Sequence, residues 1–76
     1  MPRLTPIHYK KFENFLLHDG CKFIRQEGDH RIYKRSGLKR PLVVPAEKDI
    51  PKWIIKNNLR ILGVTVKEYL KIIKKL

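Results

Sequence analysis

The sequence predicts an α+β domain of two layers, with helices packed on one face of a three-stranded antiparallel sheet. Three observations carry that expectation. Apolar residues recur at three- and four-residue spacings near both ends of the chain, and the middle holds short aromatic and β-branched runs separated by glycine turns. Capping residues stand where the helices should begin. The resulting order is α-β-β-β-α with an additional C-terminal helix, a meander whose free sheet face water can wet.

Thr5-Pro6 reads as the start of the first helix, because a threonine hydroxyl can accept from the orphan N–H groups and proline at the first helical position loses no bond. From Ile7 to Leu17 the residues Ile7, Tyr9, Phe12, Phe15 and Leu16 fall mostly at helical spacings. Gly20 ends the helix, with His18 set against its negative end. His8 and His18 read as solvated helix residues, since neither belongs to a motif.

Cys21 to Glu27 forms the first strand through Phe23 and Ile24, and His30 to Arg35 forms the second through Ile32 and Tyr33. Gly28-Asp29 makes the hairpin between them, because glycine takes positive φ cheaply and aspartate tolerates it. A second hairpin runs through Ser36-Gly37-Leu38-Lys39. Leu42, Val43 and Val44 make the third strand, and the prolines at 41 and 45 mark it as an edge, where missing donors cost little. With Ile32 expected to point into the core, strand alternation sends Arg31, Tyr33 and Arg35 to the open face.

Asp49 can cap a second helix that begins near Ile50-Pro51 and ends at Gly63, with Trp53, Ile54, Ile55, Leu59 and Leu62 as its apolar side. Trp53 therefore reads as core. Thr65-Val66-Lys67-Glu68 has the form of a capping box, which opens a third helix from Val66 to about Lys75. Its Lys67, Lys71, Lys74 and Lys75 read as the wet side.

All 76 residues fit one domain, and a chain of this size buries only roughly 60% of the surface its unfolded form exposes. No large enclosed site fits such a core. The net charge of +11, from 18 Lys and Arg against 7 Asp and Glu, exceeds what solubility requires and points to a polyanionic partner. A single cysteine, Cys21, forms no internal disulfide, and no Cys/His spacing suggests zinc. With no membrane-length apolar run and no signal-peptide centre near the start, a cytoplasmic location is expected, with no membrane partner.

The stretch most suited to chemistry is Glu27-Gly28-Asp29-His30, which sets an imidazole just past a tight turn at the mouth of a cationic strand. An unperturbed histidine, with a pKa of about 6.5, both accepts and gives a proton near neutrality. Arg25, Arg31, Lys34, Arg35, Lys39 and Arg40 have almost no acids interleaved and suit phosphate contact.

The run from Phe23 through Gly28-Asp29-His30 joins three further stretches: Leu42-Val43-Val44-Pro45, the helix opening Lys48-Asp49-Ile50, and Leu59 with Leu62-Gly63-Val64-Thr65. Together they resemble the HicA-type toxins of bacterial and archaeal toxin–antitoxin pairs. The resemblance covers nearly the whole chain. It implies a fold like that of double-stranded-RNA-binding domains, mRNA interferase activity, and neutralisation by a HicB-type antitoxin. The family's usual Gly-Ser-His motif, whose histidine is catalytic, falls on Gly28, Asp29 and His30. The chain departs from the pattern at Asp29, where serine is usual, and at Trp53-Ile54, where many members have Gly-Thr. The Asp29 carboxylate either orients His30 and favours its imidazolium or repels a phosphate.

The implied chemistry is attack by a ribose 2′-hydroxyl on its own 3′-phosphate, a route that needs neither a metal nor any other cofactor. His30 would act as base or acid, with Arg25, Arg31, Lys34 and Arg35 as candidates to neutralise the phosphorane. Gly28, Asp29, Lys39 and Arg40 complete the expected RNA-contacting set, and Tyr33 would stack on an unpaired base. The alternative is a non-catalytic RNA-binding module of the same fold.

Overall fold

Helix α1 (Tyr9–His18) carries Phe12, Phe15 and Leu16 on one stripe, and all three are buried. In the computed structural model, which describes residues 3–76, it is followed by strands β1 (Lys22–Glu27), β2 (His30–Lys34) and β3 (Leu42–Pro45), then by helices α2 (Lys52–Leu62) and α3 (Val66–Ile73). The sheet is an antiparallel meander in the order β1-β2-β3, so β3 is an edge as its flanking prolines imply. The expected α+β order holds throughout.

The core lies between one face of the sheet and the helices. Tyr33, Leu42 and Val44 meet Phe12, Phe15, Leu16, Ile55, Leu59 and Tyr69 there. Phe15 and Tyr69 pack edge to face with ring centroids 4.9 Å apart, joining α1 to α3. Replacing a fully buried phenylalanine such as Phe15 by alanine costs about 3–5 kcal/mol, a large part of what a domain this small has to lose.

The alternation along β2 is opposite to the sequence expectation. Tyr33 is fully buried on the helix side, beside its partners Phe23 and Leu42, and Arg31 shares that side. His30, Ile32 and Lys34 therefore occupy the open face. Ile32 is still 6% exposed, flanked across the sheet by Arg25 and Val43, but it stands outside the main core cluster. A bulge between Phe23 and Arg25 shifts the register of β1, so Phe23 pairs with Tyr33 while Arg25 pairs with Ile32.

The helix starts also differ from expectation. His8, not Thr5, is the N-cap of α1, its Nδ1 accepting from the Lys10 N–H at 3.1 Å. Ile7 instead pairs with Ile50 in an isolated bridge, which ties the two helix entries together. Helix α2 opens after Pro51 with no side-chain cap, so Asp49 does not cap it. Thr65 does cap α3, accepting from the Glu68 N–H at 3.1 Å. The Glu68 carboxylate, however, accepts from the Thr65 hydroxyl and not from a backbone donor, leaving the capping box half formed. Gly63 ends α2 at φ +75°, a left-handed conformation that glycine adopts without strain. Among the described residues no helix is long and apolar enough to cross a membrane.

Candidate active site on the open sheet face

The β1–β2 hairpin delivers His30 to the open face. Gly28 turns the chain at φ +60°, and the Gln26 side-chain amide donates to the Gly28 carbonyl at 2.9 Å. The Ala46 N–H donates to the Asp29 carbonyl at 2.7 Å and so fastens the turn to the end of β3. His30 then begins β2, paired with Glu27 on one side and Pro45 on the other. Its side chain is 61% exposed, with Nε2 3.9 Å from the Asp29 carboxylate. That separation is too long for a hydrogen bond but close enough for an ion pair whenever the ring is protonated.

His30 looks into a cleft of about 180 Å³ between the sheet edge and α2, shared with Val43, Pro45, Trp53, Ile54, Asn57 and Asn58. Asn58 is buried and donates to the Ile54 carbonyl at 3.1 Å. Sequence reasoning did not place the residues of α2 beside His30. One signal was available for Trp53: on a helical wheel it lies about 180° from Leu62 and well away from Ile55 and Leu59. Trp53 is 70% exposed, and the expectation that it is core is corrected accordingly.

The structure divides the expected RNA-contacting residues into two groups. Arg25 and Lys34 lie on the open face with His30, the first paired loosely with Glu27 at 3.3 Å, and both exposed. Lys34 stands four residues along β2 from His30 on the same side, about 13 Å away. Lys39 and Arg40 are exposed in the β2–β3 loop, where a cleft of about 210 Å³ also touches Lys34. Gly28 and Asp29 form the turn itself.

Arg31, Tyr33 and Arg35 make up the second group, and they are turned toward the helices, not displayed on the open face. The Arg31 guanidinium donates to the Tyr33 hydroxyl at 3.0 Å, to Gln26 Oε1 at 2.7 Å and to the Glu13 carboxylate of α1 at 2.7 Å. The Tyr33 hydroxyl donates to the same Glu13 oxygen. Arg31 also lies over the ring of Phe23, 4.2 Å from its centroid. Burial opposes ionisation of Glu13, but donation from Tyr33 and Arg31 outweighs it and holds the carboxyl below its ordinary range. Burial, aided by the Glu13 contact, pushes the Tyr33 phenol up to about 12. Arg35 pairs with Asp19 at the end of α1, and its side chain covers Gly20. Glu13 of α1 and Asp19 at its C-cap thus fasten Arg31 of β2 and Arg35 just beyond it to the helix layer.

Within the described residues no three His, Cys, Asp or Glu side chains gather to hold a metal ion. What the open face offers is one accessible imidazole, the exposed cations Arg25 and Lys34, and a cleft of about 180 Å³ at the sheet edge. Such an arrangement suits proton transfer at a bound phosphate ester.

Fold and site together define a small, strongly basic α+β domain that presents a histidine beside a tight turn on the exposed face of an antiparallel sheet. Residues 9–64 match the protein family described as the HicA toxin of bacterial toxin–antitoxin systems. The match runs from the first residue of α1 to just past α2 and includes the whole sheet, so the chain belongs to the HicA toxin family. It is a toxin of the toxin–antitoxin class, and membership implies an antitoxin partner. No curated protein and no solved structure matches the chain.

Proposed function

We propose that this toxin is an endoribonuclease that cleaves mRNA through His30 without a metal, and that a HicB-type antitoxin holds it silent. One observation carries the proposal: the histidine of the family's glycine–histidine turn is exposed, at the lip of a cleft, on a face that also carries Arg25 and Lys34. The 2′-hydroxyl of the substrate ribose supplies the nucleophile. As the bond from O2′ to phosphorus forms, the bond from phosphorus to the leaving 5′-oxygen breaks, giving a 2′,3′-cyclic phosphate and a free 5′-hydroxyl.

His30 handles one of the two protons that must move, taking it from the 2′-hydroxyl or giving it to the leaving oxygen, and water handles the other. Help of that kind is worth roughly 10²–10⁴ in rate. Arg25 and Lys34 take over the phosphate-neutralising role, with Lys39 and Arg40 extending the track. Arg31, Tyr33 and Arg35, committed to Glu13 and Asp19, are assigned to holding the sheet against α1. Asp29 holds an exposed carboxylate 3.9 Å from Nε2, at the edge of the same site.

The test uses an RNA strand that carries a single 2′-deoxy nucleotide at the mapped cut, in the presence of chelator. Cleavage should vanish at that link, while an all-ribose strand yields the cyclic phosphate. Cutting that survives the deoxy substitution rules out the 2′-hydroxyl route. Binding without any scission favours an RNA-binding module instead.

A further inference from the structure

Trp53 is the sole tryptophan, and it is 70% exposed on the first turn of α2. A ring that large gains from burial, so leaving it in water on a folded domain calls for a partner. It stands between two depressions. On one side is the His30 cleft; on the other is a groove of about 810 Å³ with Leu4, Pro6 and Val66 in its lining and the cations Arg3, Lys52 and Lys56 around it. No acidic side chain lines that groove, and among the described residues none of the three cations forms an ion pair.

We propose that Trp53 is a stacking platform for an unpaired base of the substrate next to the scissile link, with Arg3, Lys52 and Lys56 holding the flanking phosphates. This rests on the ribonuclease function proposed above and specifies its substrate class as single-stranded RNA. An aromatic ring amid cations is the recurrent means of holding a strand without reading its sequence, since every base has a π-face and every link a charge. Lys52 and Lys56 are four residues apart and flank Trp53 on neighbouring turns, so a strand leaving the His30 cleft across the indole meets both. Paired RNA keeps its bases stacked on one another and cannot offer a face to the indole. An acidic peptide would satisfy the lysines and leave the indole without a stacking partner.

The emission of Trp53 reports this site alone. A His30→Ala chain, chosen to prevent cutting, is titrated at low salt with a single-stranded RNA decamer, with the same strand annealed to its complement, and with polyglutamate. Quenching by the single strand and little by the duplex is expected. Read by the anisotropy of an end-labelled decamer, since both variants lack tryptophan, Trp53→Ala should weaken single-strand binding by roughly five- to 150-fold, with Trp53→Phe keeping most of the affinity. Lys52→Ala and Lys56→Ala should each lower the steepness of log K against log salt by about 0.7, while Trp53→Ala leaves it unchanged. The exposure of Trp53 makes its replacement safe for folding, which the far-ultraviolet spectrum checks.

Equal quenching by duplex, quenching by polyglutamate alone, or unaltered affinity in Trp53→Ala overturns the proposal. RNA cleavage by Trp53→Ala at the parent KM also overturns it and leaves His30 as assigned. Conversely, single-strand quenching together with a parent chain, His30 intact, that never cuts RNA supports the platform and removes the ribonuclease. A chain that binds no RNA overturns both.

Discussion

Replacing Arg31 by alanine separates a scaffolding arginine from an RNA-contacting one, and the geometry sets the size of the effect. Arg31 and Glu13 are 18% and 22% exposed, between the surface pairs that contribute about 0–1 kcal/mol and the buried pairs whose breakage costs about 3–5 kcal/mol. The guanidinium donates to three different side chains, and its loss strands a Glu13 carboxylate with Tyr33 as its remaining donor. A cost of about 2–3 kcal/mol follows from that intermediate burial. For a domain of this length it corresponds to a Tm roughly 10–20 °C lower. Arg31→Lys should recover only part of the loss, because an ammonium cannot fork to three acceptors in fixed directions. Arg25, whose pair with Glu27 is 56% and 62% exposed, supplies the control: Arg25→Ala should move stability by no more than about 0.5 kcal/mol. Thermal unfolding followed by circular dichroism measures both. An Arg31→Ala chain that melts within about 2 °C of the parent while losing RNA affinity would refute the scaffolding assignment.

Glu13, ordinarily titrating at 4.5 and held lower in the fold, contributes stability that is fully present above that value and is lost as pH falls through the folded one. Glu13→Gln should therefore flatten the acid limb of a stability-against-pH curve; an identical limb in both chains would show that the carboxylate contributes nothing. Burial raises the thiol of Cys21, which is 3% exposed, so a thiol reagent should label it only as fast as the protein opens, and rapid labelling of folded protein would contradict its placement. Gly63→Ala, at φ +75° with nothing within 4 Å of the added methyl, should cost roughly 1–2 kcal/mol in denaturant unfolding through backbone strain alone. No change there would mean that the turn relaxes.

The element order was legible because the signals were local. Each hairpin carried its own glycine, Thr65 announced α3, and the prolines around Leu42 marked an edge strand. Which face each residue of β2 would take was not legible. Ile32 and Tyr33 are adjacent and both apolar, so alternation fits either assignment, and only the pairing of Tyr33 with Leu42 and of Arg31 with Val44 decides between them. The acids of α1 and its C-cap held a further clue. Glu13 and Asp19 are two of just seven acids in the chain, and burying arginines on the helix side requires partners of that kind. His30 was identifiable from its turn and from family resemblance, yet its neighbours Trp53, Asn57 and Asn58 come from a helix more than twenty residues away, and tertiary packing alone brings them together. Grouping Trp53 with the apolar side of α2 counts its residue type and neglects its helical phase, which sets it about 180° from Leu62.

The most direct test of the account is the rate at which purified His30→Ala cuts a single-stranded RNA in chelator, set against the parent at the same concentration. With the exposed ring removed and the fold intact by circular dichroism, cleavage should fall by about 10²–10⁴. A variant that cuts at the parental rate would show that the imidazole on the open face takes no part in the chemistry.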